Sequence, residues 1–107
     1  MAKQPGIIFI SLLLTGVMAG QAQAPSQLGR VNVVRDAGNI RVEMKASGAV
    51  APKVTSLDSP ARVVVELPET VMSTGQARIA VGADGVKGVR IGMNGQEHPT
   101  TRVVVDL

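Results

Sequence analysis

The sequence has 107 residues, with 11 Lys and Arg, 8 Asp and Glu, and a formal net charge of +3. It contains no Cys, Trp or Tyr, which excludes disulfides, thiolate metal sites and a thiol nucleophile. One domain is expected from this length, with a core built from Val, Ile, Leu, Met and Ala.

The chain opens with one cation, Lys3, and then an apolar run from Ile7 to Ala19 that holds the single Phe, Phe9. Small residues follow at Gly20, Ala22 and Ala24. A basic start, an apolar run and a small-x-small site describe a secretory signal peptide. The run is shorter than the ~20 residues needed to span a bilayer. Cleavage is expected after Ala22, because a cut after Ala24 would face Pro25, with its missing N–H and fixed φ. Residues 1–22 are therefore assigned as signal and residues 23–29 as a polar linker. No Cys follows the run, so a lipid anchor is excluded and no stable membrane anchor remains after cleavage. Removing Lys3 leaves ten Lys and Arg against eight Asp and Glu, a nearly balanced mature chain.

Strand signals dominate from residue 30. Arg30 to Arg35 and Ile40 to Met44 flank Asp36-Ala37-Gly38-Asn39, where Asp, Asn and Gly favour a turn. Residues 30–45 are thus expected to form a β-hairpin. Pro52 marks an edge or strand start before Leu57, and Asp58-Ser59-Pro60 punctuates the chain. Ala61-Arg62-Val63-Val64-Val65-Glu66-Leu67 follows; three consecutive β-branched residues suit a pleated strand. Pro68 ends it. Residues 69–77 are polar and flexible, and Arg78 to Val81 forms a short strand. Gly82 to Gly85 is a turn, Val86 to Met93 a strand with a bulge at Gly88, and Asn94-Gly95 a tight-turn signal. Thr101-Arg102-Val103-Val104-Val105-Asp106-Leu107 ends the sequence.

That last stretch repeats residues 61–67 forty positions later. The strands before the two copies, Ile40 to Met44 and Val89 to Met93, both read apolar-Arg-apolar-x-Met. Such self-similarity implies two pseudo-symmetric units, each burying its apolar face against its copy. Side chains alternate along a strand, so Val63, Val65 and Leu67 share one face and Arg62, Val64 and Glu66 the other. Val103, Val105 and Leu107 likewise oppose Arg102, Val104 and Asp106. No helical period is sustained after the leader. The expected fold is all-β: a small β-sandwich of two pseudo-symmetric antiparallel sheets.

The hairpin, Ser59-Pro60-Ala61-Arg62-Val63-Val64-Val65-Glu66-Leu67, Gly88-Val89-Arg90-Ile91-Gly92-Met93 and Arg102-Val103-Val104-Val105-Asp106-Leu107 together resemble the AMIN domain. The resemblance covers about residues 30–107. That family occurs at the N-terminus of periplasmic N-acetylmuramoyl-L-alanine amidases and in the periplasmic part of type IV pilus secretins. It implies a small β-sandwich, cell-envelope targeting in the periplasm, and peptidoglycan as ligand. No amidase or secretin segment accompanies it in this sequence.

Catalysis is not expected. His98 is the single histidine, and a hydrolytic zinc site needs three protein ligands. Ser47, Ser56, Ser59 and Ser73 could formally join His98 in a triad, but none has nucleophile-elbow spacing. Gly82, Gly85 and Gly88 lie between strands without the helix N-terminus of a phosphate site. No cofactor is implied. Nucleic acid is an unsuitable partner without stacking aromatics.

The arginines carry the remaining chemistry. Arg41, Arg62, Arg90 and Arg102 fall on the outward faces of the repeated strands. One reading pairs them with acids: Arg41 with Glu43, and Arg62 with Glu66 or Asp106. The other makes Arg62, Arg90 and Arg102, with Lys87 as auxiliary charge, a basic patch for an anionic ligand. Guanidinium forks bind carboxylates bidentately, and stem peptides of peptidoglycan carry several. An alternative to polymer binding is docking to an envelope protein complex by strand-edge pairing near Pro52 or at the C-terminal strand.

Overall fold

The computed structural model describes residues 8–14, 24–95 and 97–107. The strands are β1 (Ile8–Leu14), β2 (Ser26–Asp36), β3 (Asn39–Ala46), β4 (Lys53–Leu57), β5 (Arg62–Pro68), β6 (Thr70–Met72), β7 (Arg78–Ala83), β8 (Val86–Asn94) and β9 (Thr100–Asp106). No helix occurs among the described residues. A four-stranded sheet has the order β1-β3-β2-β6, and a five-stranded sheet the order β4-β5-β9-β8-β7. The five-stranded sheet is antiparallel throughout. The four-stranded sheet joins an antiparallel hairpin to two parallel neighbours, β1 against β3 and β6 against β2. The protein is an all-β sandwich, as the strand signals indicate.

Two short turns set the hairpins. Ala37 and Gly38 between β2 and β3 both have positive φ, and so do Asp84 and Gly85 between β7 and β8. Paired left-handed residues give the turn twist that matches flanking strands. The expected bulge falls across from Gly88. The β7–β8 register shifts between Ala80 and Ala83, so β7 carries the extra residue, with Gly82 at φ 62°.

The core lies between the sheets. Leu28, Val31, Ile40, Val42 and Met44 meet Val65, Leu67, Val86, Val89, Ile91, Val103 and Val105. Burying each of these side chains contributes about 1.5–3 kcal/mol. Thr70 and Thr101 are also fully buried. Their hydroxyls are satisfied: Thr101 Oγ1 donates to the Thr70 carbonyl at 2.9 Å and Thr70 Oγ1 to the Pro68 carbonyl at 2.9 Å.

Three expectations change. First, the repeat is not one copy per sheet. β5 and β9 are hydrogen-bonded neighbours, with Arg62 opposite Asp106, Val64 opposite Val104 and Glu66 opposite Arg102. The copies meet edge to edge, and both bury Val faces against the other sheet. Ile40 to Met44 lies in the four-stranded sheet, whereas its counterpart in β8 lies beside β9. Second, residues 26–29 are not linker but the start of β2. Ser26, Gln27 and Leu28 pair with β6, and Leu28 is fully buried. Third, part of the apolar run expected to be a signal peptide, Ile8–Leu14, forms β1 at the edge of β3. The expected cleavage site, Gly20-Gln21-Ala22, lies outside the described residues.

Candidate functional site

The β5–β9 and β8–β9 registers place the arginines on one outward face. Leu57, Arg62, Asp106 and Gly88 form one row across β4, β5, β9 and β8. Thr55, Val64, Val104, Arg90 and Arg78 form the next, reaching β7. Lys53, Glu66, Arg102 and Gly92 form a third. The period of two set by the β-branched runs thus puts every base and acid of β5 and β9 on the solvent side. Val104 is the exception to outward exposure, at 9%. Its strand is central, with Val64 on one side and Arg90 on the other.

Arg62, Arg90 and Arg102 line a shallow open groove of about 640 Å³ on this face. Lys87 lies in an adjoining hollow that shares Arg90 and also contains Arg78, Gly88 and Asp106. Three of the four expected site residues therefore converge, and the fourth borders them. On β8 the outward residues run Gly88, Arg90, Gly92, so a residue without a side chain sits on each side of Arg90. Arg41 is on β3 in the other sheet. Its Nε lies 3.0 Å from Glu43 Oε2, a charge contact without hydrogen-bond alignment.

The groups are not electrically equivalent. Arg90 holds Asp106 with both arms of its fork, Nε to Oδ2 at 2.7 Å and Nη2 to Oδ1 at 2.9 Å. Arg102 Nη2 donates to Glu66 Oε2 at 2.6 Å. These carboxylates neutralise two of the three groove arginines. Arg62 instead donates from Nη1 to the Pro60 carbonyl at 2.7 Å and has no ion pair among the described residues. The hydrogen bonds from Arg90 hold the Asp106 carboxyl below its usual range; partial burial opposes this, and the charges of Arg90, Arg62 and Lys87 add to it. One carboxylate thus sits among three cations.

Sequence reasoning missed Arg78 and Lys53 on this face. Arg78 opens a strand whose alternation was readable, but its place beside Arg90 depends on sheet order. His98 is exposed, with Nδ1 3.1 Å from Glu69 Oε2. Ser73 Oγ donates to the Leu28 carbonyl and Ser47 Oγ accepts from the Gln27 amide. Among the described residues no three His, Cys, Asp or Glu side chains gather where they could hold a metal ion. The face offers hydrogen-bond donors and positive charge to an anion.

The family model described as AMIN domain matches residues 30–107. No curated protein and no solved structure matches the chain.

Proposed function

The chain belongs to the AMIN domain family over residues 30–107, and from that premise we propose that it is a non-catalytic module that binds peptidoglycan in the periplasm. AMIN domains are targeting modules of periplasmic proteins, associated with peptidoglycan and with envelope complexes. The observation that carries the reading here is Arg62, a half-exposed arginine lining the groove with no carboxylate of its own. Arg90 and Arg102 frame the groove, and Lys87 adds charge beside it. The apolar start of the chain supports export, with loss of residues 1–22 and with them of β1. An exported protein meets the sacculus, whose stem peptides present carboxylates.

Retention on purified sacculi tests this, with thermal melting of the same proteins. Arg62→Ala should lower retention and leave the protein folded with at most a small loss of melting temperature, since Arg62 contributes one exposed hydrogen bond and no ion pair. Retention should also weaken with salt, because exposed charges are screened beyond about 10 Å at 0.1 M ionic strength. Salt-independent retention that survives Arg62→Ala would remove this face from the binding role.

A second reading rests on β4. It is an edge of the five-stranded sheet, all five of its residues are exposed, and Val54 is 54% exposed. An envelope protein could add a strand there. The C-terminal strand does not offer the same route, because β9 is flanked by β5 and β8. Capture of an envelope protein that is abolished by a proline within β4, with sacculus binding intact, would favour this second reading.

A further inference from the structure

Arg78 and Arg90 lie directly opposite each other on β7 and β8. Like charges at directly opposed positions destabilise a ladder. Arg90 is neutralised by its fork to Asp106, but Arg78 has no carboxylate partner among the described residues, and neither has Lys87. Both line the hollow of about 440 Å³ next to the groove. Gly88 helps to form that hollow: a Cβ there would come within 2.9 Å of the Ile79 carbonyl oxygen. The face therefore has an uncommitted cation at each end, Arg62 on β5 and Arg78 with Lys87 on β7 and β8. The Arg90–Asp106 pair stands between them. Two further strands separate β5 from β7. Three strand spacings and one side-chain step put the two centres roughly 15 Å apart.

We propose that this face carries two separate carboxylate receptors, Arg62 at one end and Arg78 with Lys87 at the other. Its ligand then presents two carboxylates at the separation of the receptors, roughly 15 Å, and a polymer bearing repeated stem peptides is the class of ligand that offers more than one. This deepens the peptidoglycan reading and rests on it. The Arg90–Asp106 pair is a neutral spacer that keeps the receptors distinct. Each receptor alone is a weak, exposed charge contact. Together they act by avidity, since the first contact raises the effective concentration of the second carboxylate.

The test compares two soluble probes by calorimetry on the purified protein: acetyl-alanyl-alanine, and two such peptides joined through their N-termini by a flexible linker that spans 15 Å. Sacculus retention is measured in parallel. The joined probe should bind on the order of tenfold or more tighter than the single one. Arg78→Gln with Lys87→Gln should reduce the joined probe to the affinity of the single one, and Arg62→Gln should do the same. Thermal melts should show folded proteins throughout: Arg78→Gln relieves the repulsion with Arg90, and Arg62→Gln removes only an exposed hydrogen bond to the Pro60 carbonyl. A joined probe that gains no more than the statistical twofold, or that ignores Arg78→Gln with Lys87→Gln, overturns the two-receptor arrangement. Retention on sacculi without binding of either probe also overturns it, while leaving peptidoglycan binding in place. Loss of both overturns the peptidoglycan reading as well.

Discussion

Asp106 stands directly opposite Arg62 across the β5–β9 ladder, yet its carboxylate is held by Arg90 from β8. Arg90 reaches it with two parallel donors, and that fork geometry is stronger than a single contact. Arg62 is left to cap the Pro60 carbonyl. The β5–β9 register sets Arg62 opposite Asp106 at one end and Arg102 opposite Glu66 at the other. Only the second pair is joined by a salt bridge. The broken symmetry is what leaves one guanidinium on the face without a carboxylate.

Core and face positions should separate cleanly in denaturant melts. Val65 is 1% exposed and sits opposite fully buried Val103. Val65→Ala should cost about 1–3 kcal/mol through lost burial and the cavity left behind. Arg62→Ala should cost less, on the order of 1 kcal/mol or below, since it removes one hydrogen bond to the Pro60 carbonyl from a half-exposed position and no ion pair. The reverse order in urea would mean that β5 is one residue out of register.

Acid should weaken the β8–β9 pairing. The folded Asp106 carboxyl titrates below its unfolded value, chiefly because Arg90 hydrogen-bonds its ionised form. The unfolded state then binds more protons in that window, so stability rises with pH there. The contribution is complete above the ordinary carboxylate value of about 3.9 and is lost as pH falls through the lower folded value. In Asp106→Asn, the loss of melting temperature below about pH 4 should be smaller than in the parent. Identical acid limbs for the two proteins would contradict the assignment.

The two outward glycines of β8 should respond differently to a methyl group. Gly88→Ala drives Cβ to 2.9 Å from a backbone oxygen of β7, which should cost about 1–3 kcal/mol as overpacking does. Gly92→Ala meets nothing within 4 Å and should stay within about 0.5 kcal/mol of the parent. Thermal melts of the two variants decide this, and equal effects would be inconsistent with the β7–β8 contact.

Export should remove residues 1–22. Mass spectrometry of the protein recovered from the periplasm should find Gln23 at its start. Recovery of a membrane-bound product that keeps Met1 would reject the signal assignment.

Much of the strand content was legible because alternation is a local property of the backbone. Val63 to Leu67 and Val103 to Leu107 declare which side chains share a face, and Gly38 and Gly85 declare where the chain can take positive φ. Arg62, Arg90 and Arg102 were therefore placed outward from sequence alone, as was the burial of Val65, Val103 and Val105. Val63, expected to be buried with them, is only partly so; it lies one residue from the start of β5, whereas Val65 sits further in. Sheet order was not legible, because it depends on how distant apolar faces close over one another rather than on any neighbour in the chain. That closure put the two repeats side by side, drew Leu28 out of an expected linker into the core, and set Arg78 opposite Arg90. It also decided which arginine a carboxylate would neutralise. Arg62 and Arg102 occupy equivalent places in the repeat, and only the third strand beside them, which supplies Arg90, leaves one of them without a carboxylate.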